Sequence, residues 1–175
     1  MTLKLKRTPG LYLVGFMGCG KSTIGYSLAE ELGWSFIDID REIETREKRT
    51  IREIFIEGGE AVFRDLETEM IRARVSQVES GYPCVFALGG GAFVQPRNWE
   101  LIENNGITVW LDCPFETILK RLGDDITRPL AANQNGLEQL FQDRRPLYSR
   151  ADFRVEVDSE DISQTVQKIL RLPLF

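Results

Sequence analysis

The amino-acid sequence predicts a doubly wound α/β fold: five strands forming a mainly parallel sheet, with helices on both faces. Two observations carry this. Short apolar runs alternate along the chain with longer segments in which apolar residues recur every three or four positions, the alternation that parallel strands and crossover helices require. Two of the runs also end in glycine-rich turns, at 15–20 and 89–91, where a strand passes into a following segment and the backbone can approach another group closely.

The elements follow in order. Leu11–Gly15 is a short apolar run and reads as a buried strand. From Lys21 the pattern turns helical, with Ile24, Leu28 and Leu32 four residues apart and Gly33 closing the helix. Trp34–Ile39 is the second strand. The charged stretch after it is helical, and Thr50 with Glu53 forms a capping box before Ile54, Phe55 and Ile56. Gly58-Gly59 breaks that helix, and a longer amphipathic one runs from Glu60 to about Val78. Cys84–Leu88 is the third strand, Pro96–Asn104 a helix and Ile107–Leu111 the fourth strand. Pro114 suits the first turn of a helix over Phe115–Leu122. Gly123–Gly136 is polar and irregular. Leu137–Arg145 is helical, Phe153–Val157 alternates as the fifth strand, and Ile162–Leu170 is the last helix.

Length and composition narrow the function. At 175 residues the chain is one domain, residues 1–175, with no internal repeat or linker. Its 22 basic and 27 acidic residues leave a net charge of −5, which argues against a nucleic-acid partner. Histidine is absent, which excludes Ser-His and Cys-His catalytic pairs and His-ligated metal centres. A general base must then be a carboxylate, Lys, Tyr, Cys or water. The three cysteines, Cys19, Cys84 and Cys113, are odd in number and widely spaced, pointing to a reducing, cytoplasmic setting rather than a disulfide or zinc framework. No apolar run is long enough to cross a membrane, and the basic residues before Leu11 lack the cleavage site of a signal peptide.

Gly15-Phe-Met-Gly-Cys-Gly20-Lys21-Ser22 matches the phosphate-loop pattern G-x-x-x-x-G-K-[ST]. From the chain's own composition, on the order of 0.004 such matches are expected by chance, and a strand precedes this one while a helix follows. The spacing has a chemical reason. The glycines let successive N–H groups turn inward around phosphate oxygens, and the helix N-terminus adds its partial positive charge. Lys21 can reach the β- and γ-phosphates and Ser22 can hold Mg²⁺. Cys19, inside the loop, is either a thiol activated by the helix N-terminus or a small residue filling a loop position.

Asp38 and Asp40 flank Ile39. In an extended chain both carboxylates face one side at the carboxyl end of the second strand, where open α/β sheets bind ligands. The third strand ends without an acid, so Asp38 is the candidate for Mg²⁺. Asp40 is the candidate to position or deprotonate an acceptor hydroxyl; its alternative role is the N-cap of the next helix. Among the arginines, Arg64 and Glu67 stand three residues apart, a spacing that also fits a surface ion pair. Arg144 precedes Arg145-Pro-Leu-Tyr148, and Arg121 and Arg128 flank the start of the irregular segment. An anionic acceptor calls for guanidinium forks, and Arg128 suits a lid that closes over a transferring phosphoryl group. Gly89-Gly90-Gly91 reads as a place of close backbone approach to a ligand, with N–H groups exposed, or as a flexible strand-to-helix turn.

Taken together and in this order, Gly15–Thr23, Asp38-Ile-Asp40, Glu57-Gly-Gly-Glu-Ala-Val-Phe-Arg64-Asp-Leu-Glu67, Gly89–Gly91, Arg128-Pro-Leu and Arg144-Arg-Pro-Leu-Tyr148 resemble the shikimate kinase family. The resemblance implies a P-loop kinase fold of the nucleoside-monophosphate-kinase type, with an acceptor-binding helical segment over 38–66 and a lid over 121–135. It implies transfer of the ATP γ-phosphate to the 3-hydroxyl of shikimate, in aromatic amino acid biosynthesis. By that resemblance Asp40, Arg64, Gly89, Gly90, Gly91 and Arg144 bind shikimate, with Glu67 holding Arg64. Gly18, Cys19, Gly20, Lys21, Ser22, Thr23, Arg121 and Arg128 bind the nucleotide. Asp40, Lys21 and Arg128 act in the chemistry, and Ser22 and Asp38 serve Mg²⁺. No adenine contact is assigned to the acidic segment Ser159-Glu160-Asp161. The expected partners are ATP and shikimate, the expected state a monomer. Two alternatives stay open: a kinase of the same architecture acting on gluconate or a nucleoside monophosphate, and a non-catalytic nucleotide-binding module.

Overall fold

A computed structural model of the chain describes residues 10–123, 134–158 and 160–174. The elements are β1 (Gly10–Val14), α1 (Lys21–Leu32), β2 (Ser35–Asp38), α2 (Ile39–Glu47), α3 (Ile51–Glu79), β3 (Cys84–Ala87), α4 (Pro96–Ile102), β4 (Ile107–Asp112), α5 (Phe115–Leu122), α6 (Gln134–Tyr148), β5 (Phe153–Glu156) and α7 (Ile162–Leu170). The five strands form one sheet in the order β2-β3-β1-β4-β5, every pairing parallel. The apolar runs predict this because strands buried on both faces have no polar side. β1 and β3 are buried along their whole length, whereas edge strands β2 and β5 are only partly so. Tyr12 stacks on Phe86 across the β1–β3 pair, ring centroids 4.8 Å apart.

Helices flank the sheet. α1 packs on β2 and β3 and lies against α7, while α3 packs against both α2 and α4. No helix among the described residues is long and apolar enough to cross a membrane. The capping box forms as expected: Glu53 N–H donates to Thr50 Oγ1 at 3.2 Å and Thr50 N–H to Glu53 Oε2 at 2.7 Å.

Two expectations need correction. The second strand ends at Asp38, and the chain turns into α2 at Ile39, so Asp38 and Asp40 do not share an extended segment. The N-cap of α2 is Asp38, not Asp40: Asp38 Oδ1 accepts from Arg41 N–H at 3.3 Å, and Asp40 lies in the first turn. A carboxylate at the strand end caps the helix that starts immediately after it. The break at Gly58-Gly59 is where it is expected: within α3 two helices meet across a kink at Gly59, at φ 77° and ψ 177°.

That conformation is one that residues with a Cβ scarcely adopt. A Cβ on Gly59 would touch nothing within 4 Å, so the constraint there is purely torsional. Gly59→Ala is therefore expected to cost about 1–3 kcal/mol of stability in urea denaturation; a neutral outcome would show that the bend in α3 relaxes freely.

Candidate active site

The carboxyl ends of β2, β3 and β1 lie side by side, and a cleft of about 740 Å³ opens beside them. The loop after β1 forms one wall through Met17, Gly18, Gly20, Lys21, Ser22 and Thr23. Lys21 is buried, and its Nζ donates to the carbonyls of Gly15 and Phe16, 2.8 Å each. These bonds fold the lysine back over the loop. The Cys19 side chain is fully buried, its Sγ 3.7 Å from Lys21 Nζ, and its N–H donates to Phe16 O at 3.3 Å. This burial fits the reading of Cys19 as loop filler.

Asp38 joins two elements. The Ser22 hydroxyl donates to its Oδ2 while its Oδ1 caps α2. The first turn of α2, fixed by that cap, carries Asp40 into the same cleft. The two carboxylates thus share a site because a strand end passes directly into a helix.

Arg64 and Glu67 are no surface pair. Arg64 is 7% exposed and Glu67 0%. Arg64 Nη1 donates to Glu67 Oε2 at 2.9 Å, while its Nε and Nη2 donate to Glu60 Oε1 at 3.2 and 3.1 Å. The guanidinium also lies 5.2 Å from the Phe63 ring centre. Burial pushes the Glu67 carboxyl up to about 7, with Asp40 adding to the rise and Arg64 opposing both.

The triple glycine follows from this clamp. A Cβ on Gly89 would stand 2.7 Å from Asp40 Oδ1 and 3.0 Å from Glu67 Oε1, and one on Gly91 would stand 2.8 Å from Arg64 Cζ. The sequence suggests close approach to a ligand; the approach that Gly89 and Gly91 make here is to the protein's own charged side chains. The Gly90 carbonyl accepts a hydrogen bond from the Tyr148 hydroxyl at the end of α6. From the same helix Arg144, 7% exposed, lines the cleft, its guanidinium 5.8 Å from the Phe16 ring centre.

Arg121, near the end of α5, donates from Nη1 to Gly18 O at 3.3 Å. It lines both the main cleft and a second one of about 340 Å³, formed with Gly20, Thr23, Ile24, Val157, Glu160, Ile162 and Thr165. Gly20, Thr23 and Arg121 are among the residues assigned to the nucleotide from the sequence, and Glu160 belongs to the segment near the expected adenine pocket to which no contact is assigned; Ile24, Val157, Ile162 and Thr165 are not singled out there as site residues. Arg128 and most of the predicted lid over 121–135 lie outside the described residues. No group of three or more metal-ligating acids or thiols exists among the described residues, so a cation here would take oxygen ligands from Ser22, Asp38, phosphate and water.

The model of one protein family, shikimate kinase, matches residues 17–172. The chain belongs to the shikimate kinase family. The shikimate kinase of Persephonella marina is 42% identical over 161 residues, covering 91% of this chain and 96% of its own. That of Synechococcus elongatus is 42% identical over 166 residues, 93% and 85% of the two chains. Among solved structures, shikimate kinase from Acinetobacter baumannii in complex with shikimate superposes with a TM-score of 0.87 at 40% identity, over 94% of this chain and 92% of that one. A gluconokinase from Sinorhizobium meliloti, at 19% identity and a TM-score of 0.59, shows a shared fold alone. The family's reaction is phosphoryl transfer from ATP to a hydroxyl of shikimate, and the predicted P-loop kinase fold is borne out.

Two outcomes follow from the clamp. As pH falls through about 7, Glu67 takes up a proton and Arg64 loses its buried counter-charge. The KM for shikimate is expected to rise several-fold below that pH, and the dependence should flatten in Glu67→Gln; a wild-type pH profile kept by the variant would assign it to another group. Gly91→Ala, whose Cβ displaces the Arg64 guanidinium, is expected to raise the shikimate KM by roughly tenfold or more while leaving the ATP KM near wild type. Equal values in steady-state assays would place Arg64 away from the acceptor.

Proposed function

We propose that the main cleft holds both substrates, the γ-phosphate of ATP at the loop after β1 and shikimate against Asp40, Arg64 and Arg144. One observation carries this reading: the phosphate loop, the Asp40 carboxylate and two buried guanidiniums line a single cleft. Arg64 and Arg144 take the acceptor's carboxylate, which matches a guanidinium fork. Ile51, Phe55 and Phe63 supply an apolar wall beside them, which suits one face of a carbocyclic ring better than a linear polyol. These residues fall within 38–66, here assigned as the acceptor-binding segment.

Asp40 accepts a hydrogen bond from the 3-hydroxyl and takes its proton. The hydroxyl oxygen bonds to the γ-phosphorus as the bond from that phosphorus to the bridging oxygen of ADP breaks. Lys21 leaves the loop carbonyls to stabilise the charge spread over the transferring group. Arg128 is assigned the same task by the family resemblance. Ser22 and Asp38 fit a hard cation such as Mg²⁺, which keeps several waters and needs few protein ligands. When bound, that ion offsets charge on the β- and γ-phosphates. The adenosine moiety is assigned to the second cleft, with Arg121 against the base. Three free, buried cysteines suit the cytoplasm.

The experiment is ADP release from Mg-ATP with shikimate, gluconate, AMP or no acceptor, run on wild type and Asp40→Asn. Shikimate-dependent turnover is expected in wild type. Asp40→Asn is expected to lower kcat by roughly 10²–10⁴-fold with ATP affinity nearly unchanged. Wild-type turnover in the variant would remove Asp40 from the chemistry, and faster turnover with another acceptor would overturn the acceptor assignment.

A further inference from the structure

Arg144 and Arg145 are neighbours in the last turns of α6 and do different things. Arg144 lines the cleft, and no carboxylate among the described residues lies within ion-pair distance of it. Arg145 turns to the sheet. Its Nη1 and Nη2 donate to the two oxygens of Asp112 at 2.6 and 2.9 Å, a bidentate fork. The same guanidinium lies 5.2 Å from the ring centre of Trp110 and 5.4 Å from that of Phe141. Asp112 is the last residue of β4 and is buried. It is held in turn by Arg154 from β5, whose Nε donates to Oδ2 at 2.8 Å, and its carbonyl accepts from Val157 N–H at 2.9 Å.

The helix end needs such a support. Pro146, inside α6, has no N–H and removes one helical hydrogen bond. The end of α6 is instead tied by side chains on either side of that proline: Arg145 to β4, and Tyr148 to the Gly90 carbonyl. Arg144 stands next to the first tie and, unlike Arg64, makes no direct ion pair among the described residues, although the Tyr148 hydroxyl and the Glu67 charge act on it.

We propose that Arg145, through its fork on Asp112, is a positioning residue that aims Arg144 at the acceptor's carboxylate. The proposal rests on the assignment of Arg144 to that carboxylate. Arg145 touches no substrate; it sets the backbone turn from which Arg144 reaches. A lysine at 145 keeps the charge but loses the planar fork and the stacking on Trp110. Because Arg154 still pairs Asp112, such a variant leaves no bare buried charge and is expected to fold.

The test is steady-state kinetics on Arg145→Lys and Asp112→Asn, each alone and combined with Arg144→Lys, with thermal melting as the folding check. Arg145→Lys is expected to raise the shikimate KM by roughly tenfold and to leave the ATP KM within about twofold. In the Arg144→Lys background it should add little, because residues acting through one contact are not additive. Asp112→Asn should repeat the pattern even if Arg145→Lys melts early. An unchanged shikimate KM, equal rises in both KM values, or full additivity with Arg144→Lys would each overturn the proposal. Should Arg144→Lys alone leave the shikimate KM unchanged, the Arg144 assignment itself falls. A rise in that variant without one in Arg145→Lys removes only the positioning role.

Discussion

A guanidinium buried at the floor of an open cleft has to be paired within the protein and still keep a face for a ligand. Arg64 meets both demands. Glu67 takes one N–H of Nη1, and Glu60 takes Nε and one N–H of Nη2. Of the five N–H donors an arginine carries, two remain for a ligand. Replacing a buried ion pair by apolar groups is often neutral or stabilising, so stability alone is a poor reason to keep one here. The need for a fork that is oriented in advance is a better one, since a side chain already held in place loses less freedom when the ligand arrives.

Much of the surrounding structure follows from that clamp. Glu67 must be buried to reach Arg64, and its burial raises its proton affinity. The segment after β3 must pass close to the clamp, and it does so without side chains at Gly89 and Gly91, where a Cβ would collide with Asp40, Glu67 or Arg64. On the other side Asp38 links the two halves of the cleft. It accepts from Ser22 of the phosphate loop and caps the helix that carries Asp40. In the proposed reading, the nucleotide half and the acceptor half are therefore in register through one carboxylate.

What the sequence makes legible is what depends on local spacing. The phosphate loop is fixed by glycines and a lysine within eight residues, and the Thr50–Glu53 box by two side chains three apart. Both appear where expected. The Asp38/Asp40 pair was legible as a pair, although the extended-chain reason for it does not hold. The burial of Arg64 was not legible, because an i, i+3 spacing is the same on a solvated helix and on a buried one. What buries it is the turn at 89–91, far along the chain. Part of the second cleft is hidden for the same reason, since Val157, Ile162 and Thr165 join Thr23 and Arg121 only after the sheet is assembled.

Arg144-Arg145 shows the limit most clearly. Adjacent residues on a helix point about 100° apart, so two identical side chains serve two different partners, and nothing in the dipeptide says which is which. The partner decides. Asp112 lies at the end of β4, where a buried carboxylate already paired with Arg154 draws in the second guanidinium. Arg144 is left facing the cleft with no direct ion pair among the described residues, although the charge of Glu67 acts on it. In the proposed reading an anionic acceptor gives Arg144 the direct partner it lacks among the described residues, whereas Arg64 is ion-paired beforehand with two glutamates. On that reading the two arginines make unequal demands on one carboxylate: Arg64 supplies a fixed reference, and Arg144 supplies a charge that no direct ion pair among the described residues takes up.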